Sequence, residues 1–149
     1  GVVKNPDGDG FVIADIPGLI EGASDGLGLG HEFLRHVERC RFLIHIVDLT
    51  AENPMQNYRI INAELKKHSE KLGNLYQIVV LNKIDSVMQE DRLTYEKEFK
   101  KIAKDVFLIS AVTKENLESL LYFIVIGSSV LPLSISPLNS FISFRNLAN

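Results

Sequence analysis

Three short apolar runs, Phe11-Val12-Ile13-Ala14, Phe42 to Val47 and Leu75 to Leu81, each stop at a polar residue: Asp15, Asp48 and Asn82. Apolar runs of this length bounded by polar or turn residues are the pattern of strands buried on both faces. The stretches between and after them carry helical periodicity instead. Phe33, Leu34 and Val37 recur at helical spacing between Gly30 and Cys40, with His36, Arg39 and Arg41 toward the end where cations favour the dipole. Asn53-Pro54 places an N-cap residue before a proline at the first helical position, Met55, Tyr58, Ile61, Leu65 and Leu72 form a stripe, and Gly73 marks the stop. Glu90 to Lys104 predicts a surface helix with Leu93, Tyr95, Phe99 and Ile102 among many charges, and Val106 to Ile109 a last short strand. At the N-terminus, Gly1-Val2-Val3 and the turn residues Asn5 to Gly10 predict a strand end and a tight turn into the strand at Phe11. Strands alternating with amphipathic helices predict an α/β fold with a mainly parallel sheet.

The polar strand ends carry chemistry. Asp15-Ile16-Pro17-Gly18 puts an acid at a strand's end and a glycine three residues later. Asp-x-Pro-Gly alone is equally a turn, since proline and glycine suit the two central turn positions. In a nucleotide site Asp15 would hold Mg²⁺ through a water, because that ion dehydrates reluctantly, and the Gly18 N–H would approach a terminal phosphate. Five of the ten glycines lie between Gly18 and Gly30, which gives that segment unusual backbone freedom. A second signal decides between the readings. Asn82-Lys83-Ile84-Asp85 matches the Asn-Lys-x-Asp guanine motif: a carboxylate accepts from the N1–H and exocyclic amine of guanine, a donor pair that adenine lacks. The Asn amide meets the N7/O6 side of the base, and the Lys stem covers the ring.

Asp15 to His36, with its Phe-Leu-Arg-His ending, Asp48-Leu49 and Asn82 to Asp85 together resemble the G domain of the Obg family of GTPases, a likeness covering Gly1 to Ile124. The resemblance implies a P-loop GTPase-type three-layer fold, GTP and GDP as ligands, Mg²⁺ as cofactor, hydrolysis of GTP to GDP and phosphate, and a ribosomal particle or rRNA as partner. It further assigns Ser110-Ala111-Val112 to the fifth motif, with the Ala111 N–H reaching guanine O6. Leu19 stands where many small GTPases place the water-orienting Gln, so it can neither donate nor accept a hydrogen bond and no catalytic residue is assigned. The rival expectation is a nucleotide-independent module docking on ribosomal particles or another protein.

Other features exclude. A formal net charge of −3 gives no basic excess that would mark nucleic acid, so DNA is not an expected partner. The single Cys40 cannot form an internal disulfide, and no signal-peptide pattern opens the chain, which predicts a cytoplasmic or organellar-matrix setting. His31 and His36 are five residues apart, roughly 140° around a helix, which argues against a zinc-protease pair. His31 could face a phosphate or a water, although a solvated helix start is the simpler reading, and His45 reads as a core histidine. From Ser119 onward the only charged residue is Arg145, yet the longest apolar run, Leu120 to Ile126, is far short of the roughly twenty residues that span a membrane. No Gly-x-x-x-x-Gly-Lys-Ser/Thr occurs. The expectation is a G domain truncated on its N-terminal side: residues 1–126 as a partial domain without phosphate loop or first switch, residues 127–149 as an apolar tail of unknown structure. The resemblance also implies a gap in mid-sheet, between the strands at Phe11 and Phe42, where the absent strand would lie.

Overall fold

The computed structural model describes residues 2–4, 10–16, 42–130 and 140–145, with side chains described within 42–125. The switch residues Pro17, Gly18 and Leu19, the expected helix over 30–40, and His31 therefore lie outside the described residues. The chain order is β1 (Val2–Lys4), β2 (Gly10–Ile16), β3 (Phe42–Asp48), α1 (Pro54–His68), α2 (Glu70–Gly73), β4 (Tyr76–Asn82), a 3₁₀ turn (Ile84–Ser86), α3 (Gln89–Lys100), β5 (Asp105–Leu108), α4 (Leu117–Val130) and β6 (Ser140–Arg145). Six strands form one sheet in the order β1-β2-β6-β3-β4-β5, parallel throughout except for the antiparallel β1–β2 pair. The expected α/β fold with a mainly parallel sheet is what the chain adopts.

The gap expected between the strands at Phe11 and Phe42 is filled. β6 lies between β2 and β3, with Ala14 and Leu43 both in register with Ile142 and Asp15 and Ile44 both in register with Ser143. The physical reason is that β3 is a central strand by burial. Phe42, Leu43, Ile44 and His45 are all buried, so the main-chain groups along their edge require partners. The tail supplies an extended run rich in β-branched and aromatic residues, Ser140-Phe141-Ile142-Ser143-Phe144, which suits a pleated surface.

Helices cover both faces of β3 and β4. On one face Phe42, Ile44, Ile78 and Val80 pack with Ile109 and with Leu120 and Ile124 of α4. On the other, Val47, Val79 and Leu81 pack with Tyr58 of α1, Phe99 of α3 and Ile84. Each such fully buried side chain contributes about 1.5–3 kcal/mol. Local chemistry moves several boundaries from their sequence expectation. Asn53 occupies the N-cap of α1 with Pro54 in the first turn, but its side chain makes no capping bond; its carbonyl accepts from the Asn57 N–H instead. α1 stops at His68 and not at Gly73, because Ser69 turns extended and its hydroxyl accepts from the Leu72 N–H to start the four-residue α2. α3 ends at Lys100, four residues before Lys104, so Ile102 lies beyond it and is 46% exposed, while Leu93 on its outer side is 49% exposed. Only the Tyr95–Phe99 portion of the expected stripe reaches the core.

His45 is the polar member of this interior. It is fully buried and stacks at 4.6 Å on the Tyr58 ring, which meets Phe99 edge-on at 5.4 Å. Burial pulls its pKa down to about 4, with Gln77 partly opposing the shift. The imidazole of the unfolded chain binds its proton near the ordinary histidine value of 6.5, so between that pH and about 4 the unfolded chain holds more protons than the folded chain, and stability falls as pH falls. Urea denaturation at pH 7 and pH 4.5 is expected to show a loss of about 2.4 kcal/mol from this residue. His45→Leu is expected to flatten that portion of the profile.

Candidate functional site

In a parallel sheet the carboxyl ends of the strands leave one rim at which loops converge. Here that rim is drawn together by main-chain bonds that continue the ladders past the strands. The Leu49 N–H donates to the Asn82 carbonyl at 3.2 Å, the Ile109 N–H to the Leu81 carbonyl at 2.8 Å, and the Ile84 N–H to the Ile109 carbonyl at 3.3 Å. The ends of β3, β4 and β5, and with them Asp48, Asn82 to Asp85 and Ser110 to Val112, are thereby held in one group. β2 runs parallel to these strands and ends at Asp15 and Ile16, which stand level with Ile44 and His45 across β6, three to four residues short of Asp48.

Lys83 carries the turn out of β4. Its φ of 68° lies in the left-handed region, unusual for a residue with a Cβ, and costs about 1 kcal/mol or more. The surroundings that hold it there are the flanking ladder bonds and an ion pair: Lys83 Nζ lies 2.5 Å from Asp48 Oδ2. The other oxygen of Asp48 accepts from both the N–H (2.8 Å) and the hydroxyl (2.6 Å) of Thr50. Burial alone would raise the Asp48 pKa, but the hydrogen bonds from Lys83 and Thr50 hold it below the usual carboxylate value. Asp48 and Thr50 thus position the lysine of the Asn-Lys-x-Asp stretch. The sequence signal for this was an acid at the end of the neighbouring strand, which the spacing of a parallel sheet places opposite Asn82.

Asn82 and Asp85 separate in role. The Asn82 side-chain oxygen accepts from the Ala111 N–H at 3.0 Å, so the donor expected to meet guanine O6 is engaged with the neighbouring loop here. A base carbonyl would have to share or displace that oxygen. Asp85 sits in the 3₁₀ turn with its carboxylate exposed, accepting from the Ser86 hydroxyl at 3.1 Å. A hydrogen bond from the Ser110 side chain is the main cause that keeps its pKa below the usual value, with Ser86 adding to it. An ionised carboxylate facing solvent at a loop tip is the form that accepts two parallel N–H bonds from a planar partner.

Ser110 is the buried hub of the second loop. Its N–H donates to the Glu115 carbonyl at 3.1 Å and its hydroxyl accepts from the Thr113 N–H at 3.0 Å. The Asn116 side-chain amide closes the loop on the Leu108 carbonyl at 3.0 Å. Residues 111–116 are therefore a looped turn, with positive φ at Lys114 and Asn116, and α4 begins only after it, at Leu117. Val112 is 82% exposed. Among the described residues no group of three or more His, Cys, Asp or Glu could hold a metal ion. No helix among them is long and apolar enough to cross a membrane. Ser110→Ala removes the main stabiliser of the Asp85 carboxylate, so NMR titration is expected to show its pKa rising toward the ordinary aspartate value. An unmoved titration would contradict the coupling.

The arrangement has relatives. A family profile described as 50S ribosome-binding GTPase matches residues 1–83. The chain is 55% identical over 122 residues to GTPase Obg of Microcystis aeruginosa, covering 81% of this chain and 36% of that protein. It is 50% identical over 123 residues to GTPase Obg of a Cyanothece species, covering 82% of this chain and 34% of that protein. For GTPase Obg of Synechococcus elongatus the figures are 52% over 122 residues, with 81% and 36% covered. The chain spans about a third of the length of these curated relatives. With a strand-end rim that carries the Asn82-Lys83-Ile84-Asp85 loop in a parallel α/β sheet, the chain belongs to the 50S ribosome-binding GTPases, as an Obg family member.

Proposed function

We propose that this chain forms the guanine-reading and phosphate-sensing part of a GTPase switch, the parent protein hydrolysing GTP to GDP and phosphate and acting with ribosomal particles. The observation that carries the reading is the coupling of Asn82, Asp85 and Ser110 across the ends of two adjacent strands, which sets an ionised carboxylate beside a main-chain N–H and an amide. Asp85 takes the N1–H and amine of guanine, Lys83 lies over the ring, and Ala111, flanked by Ser110 and Val112, serves O6 when Asn82 releases its N–H. In this reading residues 1–126 are the G-domain portion and 127–149 an appended tail, although α4 crosses that boundary to Val130.

Mg²⁺ fits this donor set through Asp15 alone. Of the acids at the ends of β3 and β4, Asp48 is committed to Lys83 and Thr50, and Asp85 is the one that takes the base. One carboxylate plus nucleotide phosphates and waters is an ordinary Mg²⁺ environment, and the ion's contribution would be to neutralise charge on those phosphates. Asp15, Ile16, Pro17 and Gly18 form the phosphate-sensing segment. Working on GTP and ribosomal particles places the protein in a cytoplasmic or organellar-matrix compartment.

The sequence contains no phosphate loop, whose main-chain N–H groups and Lys each make charged hydrogen bonds worth about 1.5–3 kcal/mol. Lacking three costs about 4.5 kcal/mol or more, over a thousandfold in affinity. Calorimetric titration is expected to show no micromolar binding of GTP or GDP by these 149 residues. In a longer protein with the same residues and a phosphate loop, micromolar or tighter binding is expected. Asp85→Asn there is expected to weaken GTP by several kcal/mol and favour xanthosine triphosphate, whose oxygen replaces the amine. Unchanged GTP affinity would remove Asp85 from the base site.

A further inference from the structure

A residue that belongs to neither base-site loop joins the far sides of both. Arg92 lies in the first turn of α3, its N–H donating to the carbonyl of Met88 at the helix N-cap. Its side-chain Nε donates to the Val87 carbonyl at 2.9 Å, and Val87 closes the 3₁₀ turn that carries Asp85. One of its terminal nitrogens, Nη1, lies 3.7 Å from Oε1 of Glu115, on the loop between β5 and α4. One guanidinium thus spans the stretch after Asn82 to Asp85 and the stretch after Ser110 to Val112.

The Glu115 end matters because of what it holds. Glu115 stands between Lys114 and Asn116, whose φ values of 67° and 58° are left-handed, and such backbone persists only where its surroundings fix it. The Glu115 carbonyl accepts from the Ser110 N–H at 3.1 Å, and the Ser110 side chain supports the Asp85 carboxylate. At its start this loop is fastened by the bond from the Ala111 N–H to Asn82. Arg92 fastens it near its end. As a source of stability the pair counts for little, since the Glu115 side chain is 47% exposed. Its effect is on placement, for which a guanidinium suits better than an ammonium: it offers several donors in one rigid fork.

We propose, building on the guanine-reading role given to the two loops, that Arg92 is a positioning residue for the base: by tying Val87 to Glu115 it sets the spacing between Asp85 and Ala111. Arg92 does not touch the base. It acts through Glu115 and Ser110 on one side and through Val87 on the other.

Arg92→Ala and Arg92→Lys in the 149-residue chain, followed by ¹⁵N NMR, test this. Without nucleoside, the Ser110 amide is expected to exchange about tenfold faster in Arg92→Ala, while that of Ile109, bonded to Leu81, keeps its rate. An unchanged Ser110 rate would overturn the proposal. Guanosine and inosine, which lacks the exocyclic amine, are then added in turn, and the initial slope of the Asp85 amide shift is read for each. The ratio of the two slopes cancels the folded fraction, so a merely structural loss leaves it in place. The unsubstituted chain is expected to favour guanosine about tenfold, as for one hydrogen bond to a charged group, and Arg92→Ala about twofold. Arg92→Lys, which keeps the charge without the fork, is expected to follow Arg92→Ala. An unchanged ratio in Arg92→Ala, or one fully kept by Arg92→Lys, would overturn the proposal and leave the guanine reading standing. No preference in the unsubstituted chain would remove the guanine reading and the proposal with it. Should Arg92→Ala not fold, Glu115→Ala breaks the same tie from the other side, and an unchanged ratio there contradicts the proposal equally.

Discussion

A strand buried on both faces inside a parallel sheet must be hydrogen-bonded along both edges, and β3 is such a strand. Helices close over its two faces, β4 pairs with one edge, and the other has to be met by something. That requirement explains why β6, at the far end of the chain, comes back to the middle of the sheet. It also fixes the rim. The bonds from Leu49 to Asn82, Ile109 to Leu81 and Ile84 to Ile109 join loops whose strands are already locked in register.

The rim's electrostatics follow from this placement. Asp48 ends one strand and Asn82 the next, so the lysine that follows Asn82 meets a carboxylate directly. The pair is half-exposed on the lysine side, and such ion pairs contribute little to stability on their own. Its consequence is geometric: it helps to hold Lys83 in a left-handed turn, after which Ile84 is buried and Asp85 is exposed. The second loop reaches the same place from β5. Ser110 gives it a buried polar centre and supports the charge on Asp85. Two loops distant in sequence thus share one small network, whose parts gain meaning only together.

Much of this was legible in the sequence because the signals were local. The apolar runs over 42–47 and 75–81 identified strands to within a residue or two, and the residues at their ends carried the chemistry. Asn82 to Asp85 matched a motif whose parts sit on one loop. The less legible features depend on contacts distant along the chain. Nothing local in Ser140 to Arg145 tells an interior strand from a loose apolar tail; only the open edge of β3 does so. Ser69 ends a helix whose stripe continues to Leu72, because a hydroxyl cap competes with periodicity. The engagement of the Ala111 N–H by Asn82 is a relation between two loops and leaves no mark on either. Asp48 was visible as a strand-end acid, but its hold on Lys83 emerges only when β3 and β4 lie in register.

The central claim is that the ends of β4 and β5 form a single surface selective for guanine. Amide chemical shifts of the ¹⁵N-labelled chain, followed while guanosine and then adenosine are added at millimolar concentration, test it without requiring a phosphate site. The account predicts that guanosine moves the amides of Lys83 to Asp85 and of Ala111 together, and that adenosine leaves them in place. Equal responses to both nucleosides, or shifts confined to another part of the chain, would contradict it.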